Sequence, residues 1–447
     1  MNKNPVLAFF LPFFLYLQKS FLNRSKITLF FKKENLYFFL ALSVLTSITF
    51  LLCETIFFEV LYSADNLYLP LLARDFFTQG KISHWYLPPS PYLFPDFLLM
   101  VLLYQFFPFL FLPTVYGVVQ SSLFFMGIYF YQWQKEKNQN LALFRMLLFS
   151  FALFVFAIVS FVFSDSPNPF VFLFCNAHHS TGFLFGFSLY LFYRNAKKDY
   201  GIFLIFVFTF LYSNDRLATI LIITPLFFLT KSNEKKFALL FIPILGEILI
   251  FGLHEFFLFP SSFKTLQNYT EFKSTKQLFF LATSYLFDFS KILFYQGKIF
   301  LFVFTFGIFQ WKQIPKQSKL FLVYTFFISI FVLIIVGRFT YLHPYPIRYL
   351  LPVLILILLF VISNAQGKWE WLLIFILVLI PCLALTLEFP RKPTYLSFQR
   401  AFGKTVSYDL EKPIRFWTEG KQTPVPVDKE GKAYLWITGA FGSRHTP

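Results

Sequence analysis

Apolar runs separated by short basic loops constrain this chain more than any other feature. In order they fall near residues 36–60, 114–132, 143–163, 169–193, 201–213, 216–230, 237–253, 292–310, 319–337, 349–363 and 369–387. A helix needs about 20 apolar residues to cross the hydrocarbon of a bilayer, and several of these runs approach that length. Hydrophobic residues make up 57% of the chain and charged residues only 14%. Soluble domains carry about a quarter charged residues, so a water-soluble core is a poor account of this pattern. The fold class expected is all-α: a polytopic membrane protein with about eleven transmembrane helices.

Composition removes several functional classes. The 73 phenylalanines are scattered over every apolar segment at no fixed spacing, which fits generic lipid-facing side chains and not a cofactor-stacking box. The formal charge of +17 invites a nucleic-acid reading, yet Lys and Arg fall mainly in short loops between apolar runs, where they orient helices. No basic stripe for a duplex is present, so no nucleic-acid partner is expected. Cys53, Cys175 and Cys382 lie in or beside apolar runs with no CxxC spacing, and are expected to be inert buried thiols.

Residues 1–35 form a basic N-terminal segment. Its apolar run Pro5 to Leu17 is bounded by Lys3 and by Lys19, Arg24, Lys26, Lys32 and Lys33, with no small-residue cleavage site, and reads as an interfacial helix. With this block in the cytoplasm, alternation of the spans places Lys135 with Lys137, Arg194 with Lys197 and Lys198, Lys231 with Lys235 and Lys236, Lys312 with Lys316 and Lys319, and Lys368 on the inside. The same alternation requires residues 97–112 not to cross, as a juxtamembrane or re-entrant helix broken around Pro108 and Pro113. The two short runs meeting at Ser213 to Arg216 point to a thinned surface or a cavity. A transmembrane domain over 36–387 is followed by a small soluble tail over 388–447, with a strand-like KAYLWITGAF. The expected home is a bacterial inner membrane, N-terminus inside and C-terminus outside.

On the outer side this alternation gathers the loop 63–96, Asp165 to His179, Asn214 to Arg216, residues 254–291 and Arg338 to Arg348. The first of these, within a loop spanning 63–113, holds most of the chemistry. Asp65 follows the first span and is placed as a general base, able to take the proton of an attacking hydroxyl. If 65–78 is an interfacial helix, Asp65, Leu69, Leu72 and Phe76 share one side, while Asp75 points toward water or pairs with Arg74. His84, Trp85 and Tyr86 fit a sugar-stacking loop or interfacial anchors.

His178 and His179 suit hydrogen bonds to a substrate better than a metal, because adjacent histidines do not readily turn to one ion and no acid stands at ligand spacing. Asp215 and Arg216, between two short runs, read as a substrate-facing pair, since an ionised pair at membrane depth is costly. Arg338, His343, Arg348 and Tyr349 precede a span; arginine forks suit phosphate oxygens. Neither a nucleotide-binding, a hydrolase nor a zinc-protease motif occurs.

This layout resembles the GT-C superfamily of polytopic glycosyltransferases, which includes the protein mannosyltransferases and the lipid A aminoarabinose transferases. The likeness rests on Asp65-Asn66, Tyr68, Ala73, Gly80 and Pro88-Pro89 with PYLFP in the first loop, and on Arg348-Tyr349 before Pro352. It spans roughly residues 36–363. It implies juxtamembrane helices in the first outer loop, Asp65 as the base that activates an acceptor, and Arg348 holding the phosphate of a polyprenyl-phosphate sugar. Asn66 stands where many relatives carry a second acid, and this removes support for a divalent metal, so no cofactor is expected.

The function expected is transfer of a sugar from a polyprenyl-phosphate-linked donor to a glycan, lipid or protein acceptor on the outer side, with inversion. Asp65 deprotonates the acceptor, Arg348 and Arg338 stabilise the departing phosphate, and the aromatic loop excludes water. Two alternatives stand beside it: a lipid or polysaccharide transporter or flippase, and an inactive scaffold of the same fold that binds a lipid-linked sugar. A transporter should show an internal repeat with matched interruptions, and none is visible.

Overall fold

In a computed structural model of the chain, the residues described are 33–55, 57, 61, 64–79, 85–86, 92–163, 169–176, 183–184, 186–187, 201–231, 233–257, 279, 283, 305, 307–308, 310–337, 349–365, 367, 372, 376, 415–418, 421–424 and 443–444. They form an all-helical architecture with two short antiparallel strand pairs. Among the described residues, two helical stretches, Asn35–Glu54 and Gln139–Ile158, are long and apolar enough to cross a membrane.

Helix α1 (Lys33–Glu54) closes with the Phe57 amide donating to the Leu52 carbonyl at 2.8 Å, a six-to-one bond of the kind that ends a helix. The first span was expected to run to residue 60 and to carry Asp65 on its end. It stops at Glu54, and Asp65 instead enters the first turn of a separate helix, α2 (Ala64–Gln79). A kinked turn, Leu93–Phe97, in which Phe94 is extended at φ −134° and ψ 130°, leads into α3 (Leu98–Tyr104). At about 1.5 Å per residue α3 is about 10 Å long, far short of a bilayer. The chain then passes Pro108, which precedes the 3₁₀ turn Phe109–Phe111, and enters α4 (Leu112–Glu136) with Pro113 in its first turn.

These pieces have a core of their own. Tyr68, Leu69, Leu72 and Ala73 of α2 pack with Tyr92, with Met100, Val101 and Leu103 of α3, and with Leu112 and Tyr116 of α4; Phe76 leans on the same cluster. The expected apolar side of α2 is thus the buried one, with Leu69 and Leu72 fully enclosed. Enclosing each leucine is worth about 1.5–3 kcal/mol.

Helix α4 and helix α5 (Gln139–Phe163) form a hairpin. Its turn follows from local chemistry: Lys137 takes the left-handed conformation at φ 56° and returns its amide to the Trp133 carbonyl, while the Asn138 side chain accepts the Leu141 amide at 3.1 Å and caps α5. α1 packs along this hairpin. Pro169–Phe174, the expected start of a crossing, is a 3₁₀ run lodged against α4 and α5, with Phe170 to Asn176 all buried. It approaches so closely that a side chain at Gly117 would meet the Phe174 carbonyl oxygen at 2.5 Å.

Beyond it come α6 (Gly201–Asn214), α7 (Arg216–Leu229), α8 (Asn233–Phe257), α9 (Lys316–Gly337) and α10 (Leu351–Asn364). Phe208 of α6 and Ile222 of α7 both reach the space above Gly186, within 3.4 and 2.7 Å of where its side chain would start. In one straight rod they would stand about 21 Å apart, so the chain bends at Asp215. α10 is buried on every side and lies inside the bundle, against α5 and α9. By contrast α8 turns a stripe of Phe237, Phe241, Ile244, Ile248 and Phe251 outward, the reverse of a helix that faces water.

In the tail, Arg415–Thr418 pairs with Lys421–Pro424, and Ser443–Arg444 pairs with Trp85–Tyr86 of the first loop. The strand-like KAYLWITGAF lies outside the described residues.

Candidate functional site

Five stretches of sequence meet at the end of the bundle where α4 begins. At its N-terminal turn, Thr114 donates its hydroxyl to the Glu54 carboxylate, tying α4 to the end of α1. Two residues on, the Tyr116 phenol donates to Asp96 Oδ1 at 2.6 Å, and both side chains are buried. Asp96 thereby fixes the kinked turn of the first loop onto α4. Another turn along, Gln120 donates to the Leu173 carbonyl at 2.6 Å and reaches that of Cys175 at 3.4 Å, anchoring the 3₁₀ run. Asn176, which ends this run, donates its side-chain amide to the Asn66 carbonyl at 3.0 Å. The first turn of α2 is therefore seated on residues 169–176.

The fifth stretch is the joint between α6 and α7. The Tyr92 amide donates to the Asn214 carbonyl at 3.5 Å and the Phe94 ring lies 6.1 Å from that of Phe210, so the joint is held against the first loop. Tyr92 itself sits at φ 53°. A bulky residue in the left-handed region costs of order 1–3 kcal/mol, and such strain gathers at functional sites. Asp215 precedes α7 at its N-cap position, where a carboxylate is favoured by the helix dipole.

Several expected site residues stand here. Asp215 is buried beside Asn214. Arg216 forks onto Glu247 of α8, with Nε to Oε1 at 2.8 Å and Nη2 to Oε2 at 2.7 Å, and the Tyr212 hydroxyl donates to the same carboxylate at 3.1 Å. Glu247 was not singled out in the sequence as the partner of Arg216. Its neighbour Gly246 makes the contact possible: a side chain there would come within 2.3 Å of the Tyr212 ring.

Asp75, expected to point toward water or to pair with Arg74, lies 3.4 Å from Arg74 and is only 3% exposed, because α2 lies down on α3 and α4. Tyr349 is buried at the start of α10. Since the other end of α10 lies beside Arg145 of α5, a length of about 21 Å carries Tyr349 toward the level of the 3₁₀ run. For Asp65 the backbone is placed, next to Asn66 in the first turn of α2, and its side chain lies outside the described set. The same holds for the side chains of Trp85 and Tyr86. His84, His178, His179, Arg338, His343 and Arg348 lie wholly outside it.

Asp96, Tyr116, Gln120 and Asn176 are the residues that sequence reasoning missed as a group. Asp96 lay in view at the end of PYLFPD, but nothing in the sequence joins it to a tyrosine in an apolar helix. Cys53 and Cys175 are buried thiols in this neighbourhood. Among the described residues, no three His, Cys, Asp or Glu side chains form a cluster able to hold a metal.

At the opposite end stands a second polar cluster. Arg145 of α5 pairs with Glu136 and donates to the Ser363 carbonyl at 2.6 Å and to the Ala365 carbonyl at 3.3 Å. Lys135 also donates to the Ser363 carbonyl, and to Asn364 Oδ1 at 2.9 Å, while Gln132 meets the Ser363 hydroxyl at 2.5 Å. Two cations on the terminal carbonyls of α10 are a favourable use of its dipole. This cluster is a clamp between helices, and its residues serve structure.

Set against family models, curated proteins and solved structures, the chain matches none.

Proposed function

We propose that the chain is a membrane glycosyltransferase of GT-C type, moving a sugar from a polyprenyl-phosphate donor to an acceptor on the outer side of a bacterial inner membrane. The observation that carries this reading is the meeting of α2, the turn at Asp96, the run ending at Asn176 and the Asn214–Asp215 joint at one end of the bundle. The other end holds Lys135 and Arg145, and a basic end belongs in the cytoplasm. The polar layer then faces outward, where the acceptor would be.

In this reading Asp65 begins the helix seated on Asn176 and takes the acceptor proton. Arg348 and Arg338 hold the phosphate, with His343 beside them. The loop carrying His84, Trp85 and Tyr86 covers the sugar, with His178 and His179 below it. Asp215 lines the floor, and Tyr349 begins the central helix beneath. The apolar stripe on α8 supports a lipid surround, as does the apolar length of α1 and α5.

Replacing Asp65 by Asn tests the reading in full-length protein reconstituted in lipid. Transfer should fall by about 10²-fold or more, the loss usual for a general base, with melting temperature and donor binding kept. Unchanged transfer rules out the assigned base. A flippase is the second reading, favoured by the Arg216–Glu247 pair between apolar helices. It predicts movement of lipid across the bilayer with no new glycosidic bond, and indifference to Asp65→Asn.

A further inference from the structure

Among the described residues of the polar layer, the amide oxygens of Asn176 and Asn214 have nothing to accept. Asn176 is 1% exposed and Asn214 3% exposed. Each has its amide nitrogen committed: Asn176 to the Asn66 carbonyl at 3.0 Å, and Asn214 to the Phe210 carbonyl at 2.8 Å and the Ser213 hydroxyl at 3.1 Å. Acceptors on the nitrogen side fix which way each amide is turned, so the oxygen is the atom left over. Among the described residues, neither Asn176 Oδ1 nor Asn214 Oδ1 has a hydrogen-bond partner. Buried polar atoms are almost always paired in native proteins, and an orphan is retained where a ligand or a bound water completes it.

The two orphans are placed alike. Asn176 holds the start of the first loop through Asn66, and Asn214 holds its end through the Tyr92 amide. Around them the layer adds the carboxylates of Asp96 and Asp215, both buried. The arginines described at this end, Arg74 and Arg216, each face a carboxylate of the protein. Among the described residues the layer is therefore rich in acceptors and offers little uncompensated positive charge. A phosphate would be a poor guest, because it too brings only acceptors at neutral pH. A group rich in hydroxyl donors is the complement.

Resting on the glycosyltransferase reading, we infer that Asn176 and Asn214 are specificity residues that accept hydrogen bonds from hydroxyls of the transferred sugar, leaving the donor's phosphate to be held elsewhere. A site built to pair a hydroxyl discriminates strongly against a ligand without it, since the buried acceptor is then left bare.

The test uses full-length protein in lipid nanodiscs and four probes: bare polyprenyl phosphate, and the same lipid phosphate carrying a hexose, a 2-acetamido hexose or a pentose. Wild-type protein should bind at least one sugar-bearing lipid tenfold or more tighter than the bare lipid. Asn176→Leu and Asn214→Leu should each reduce that preference about tenfold, one hydrogen bond to a buried partner, with affinity for bare lipid phosphate unchanged. If a leucine variant fails to fold, the alanine variant at the same position replaces it. Variants that melt earlier yet keep the full preference overturn the inference and leave the glycosyltransferase reading standing. Equal binding of all four probes by wild-type protein overturns both.

Discussion

The Tyr116 phenol and the Asp96 carboxylate, 2.6 Å apart and both buried, join the second turn of α4 to the turn that closes the first loop. Tyr116→Phe keeps the ring and removes the donor, so packing is preserved while a buried carboxylate loses a partner. The expected cost is about 1–3 kcal/mol. Thermal unfolding in detergent reads it; a variant as stable as wild type would mean that this bond does not hold the turn.

Gly117 is fixed by backbone proximity. A Cβ at that position meets the Phe174 carbonyl oxygen at 2.5 Å, and neither atom belongs to a flexible side chain. Gly117→Ala should push the 3₁₀ run off α4 and cost about 1–3 kcal/mol. Hydrogen exchange should rise in residues 169–176. Normal protection there would show that the run does not need this approach.

Arg145→Met should destabilise more than a surface charge deletion. The guanidinium is buried with Glu136 and two carbonyls of α10 as partners, and removing one member of a buried pair costs about 3–5 kcal/mol. Replacing Glu136 by Gln in the same chain should restore part of the loss. A melting temperature equal to that of wild type would remove the clamp from the account.

Tyr68 gives the chain an alkaline limit. Burial in the small core of α2 and α3 pushes its phenol well above the ordinary value of about 10. The native state holds this proton more tightly than the unfolded state, so its contribution is complete below about pH 10 and is lost as pH rises beyond it. Stability should fall with pH above about 10, and Tyr68→Phe should flatten that slope. Phenolate absorbance at an ordinary phenol pH that is present in native wild type and missing from Tyr68→Phe would contradict the burial.

Much of the fold was legible along the chain because helices that fill an apolar environment are written in local composition. The run at 143–163 became Gln139–Phe163, that at 319–337 became Lys316–Gly337, and the two short runs broke at Asp215 as the Ser213 to Arg216 sequence implies. Pro169–Phe174 looked like the start of another crossing for the same reason. Its apolar residues carry no mark that distinguishes a helix from a 3₁₀ run packed on Gly117.

The sequence by itself determined that the described part of this chain is helical, roughly where helices such as Gln139–Phe163 and Lys316–Gly337 run, and that its acids and asparagines fall in a few separated stretches. Those are local properties of hydrophobic length, capping residues and prolines. Only the tertiary structure decided that Glu247 answers Arg216, that Asp75 is buried, that Arg145 clamps Ser363 and that Asn66, Asp96, Asn176 and Asn214 share one polar layer. Such partners lie tens to hundreds of residues apart, and a hydrogen bond depends on distance in space, which composition along the chain does not encode.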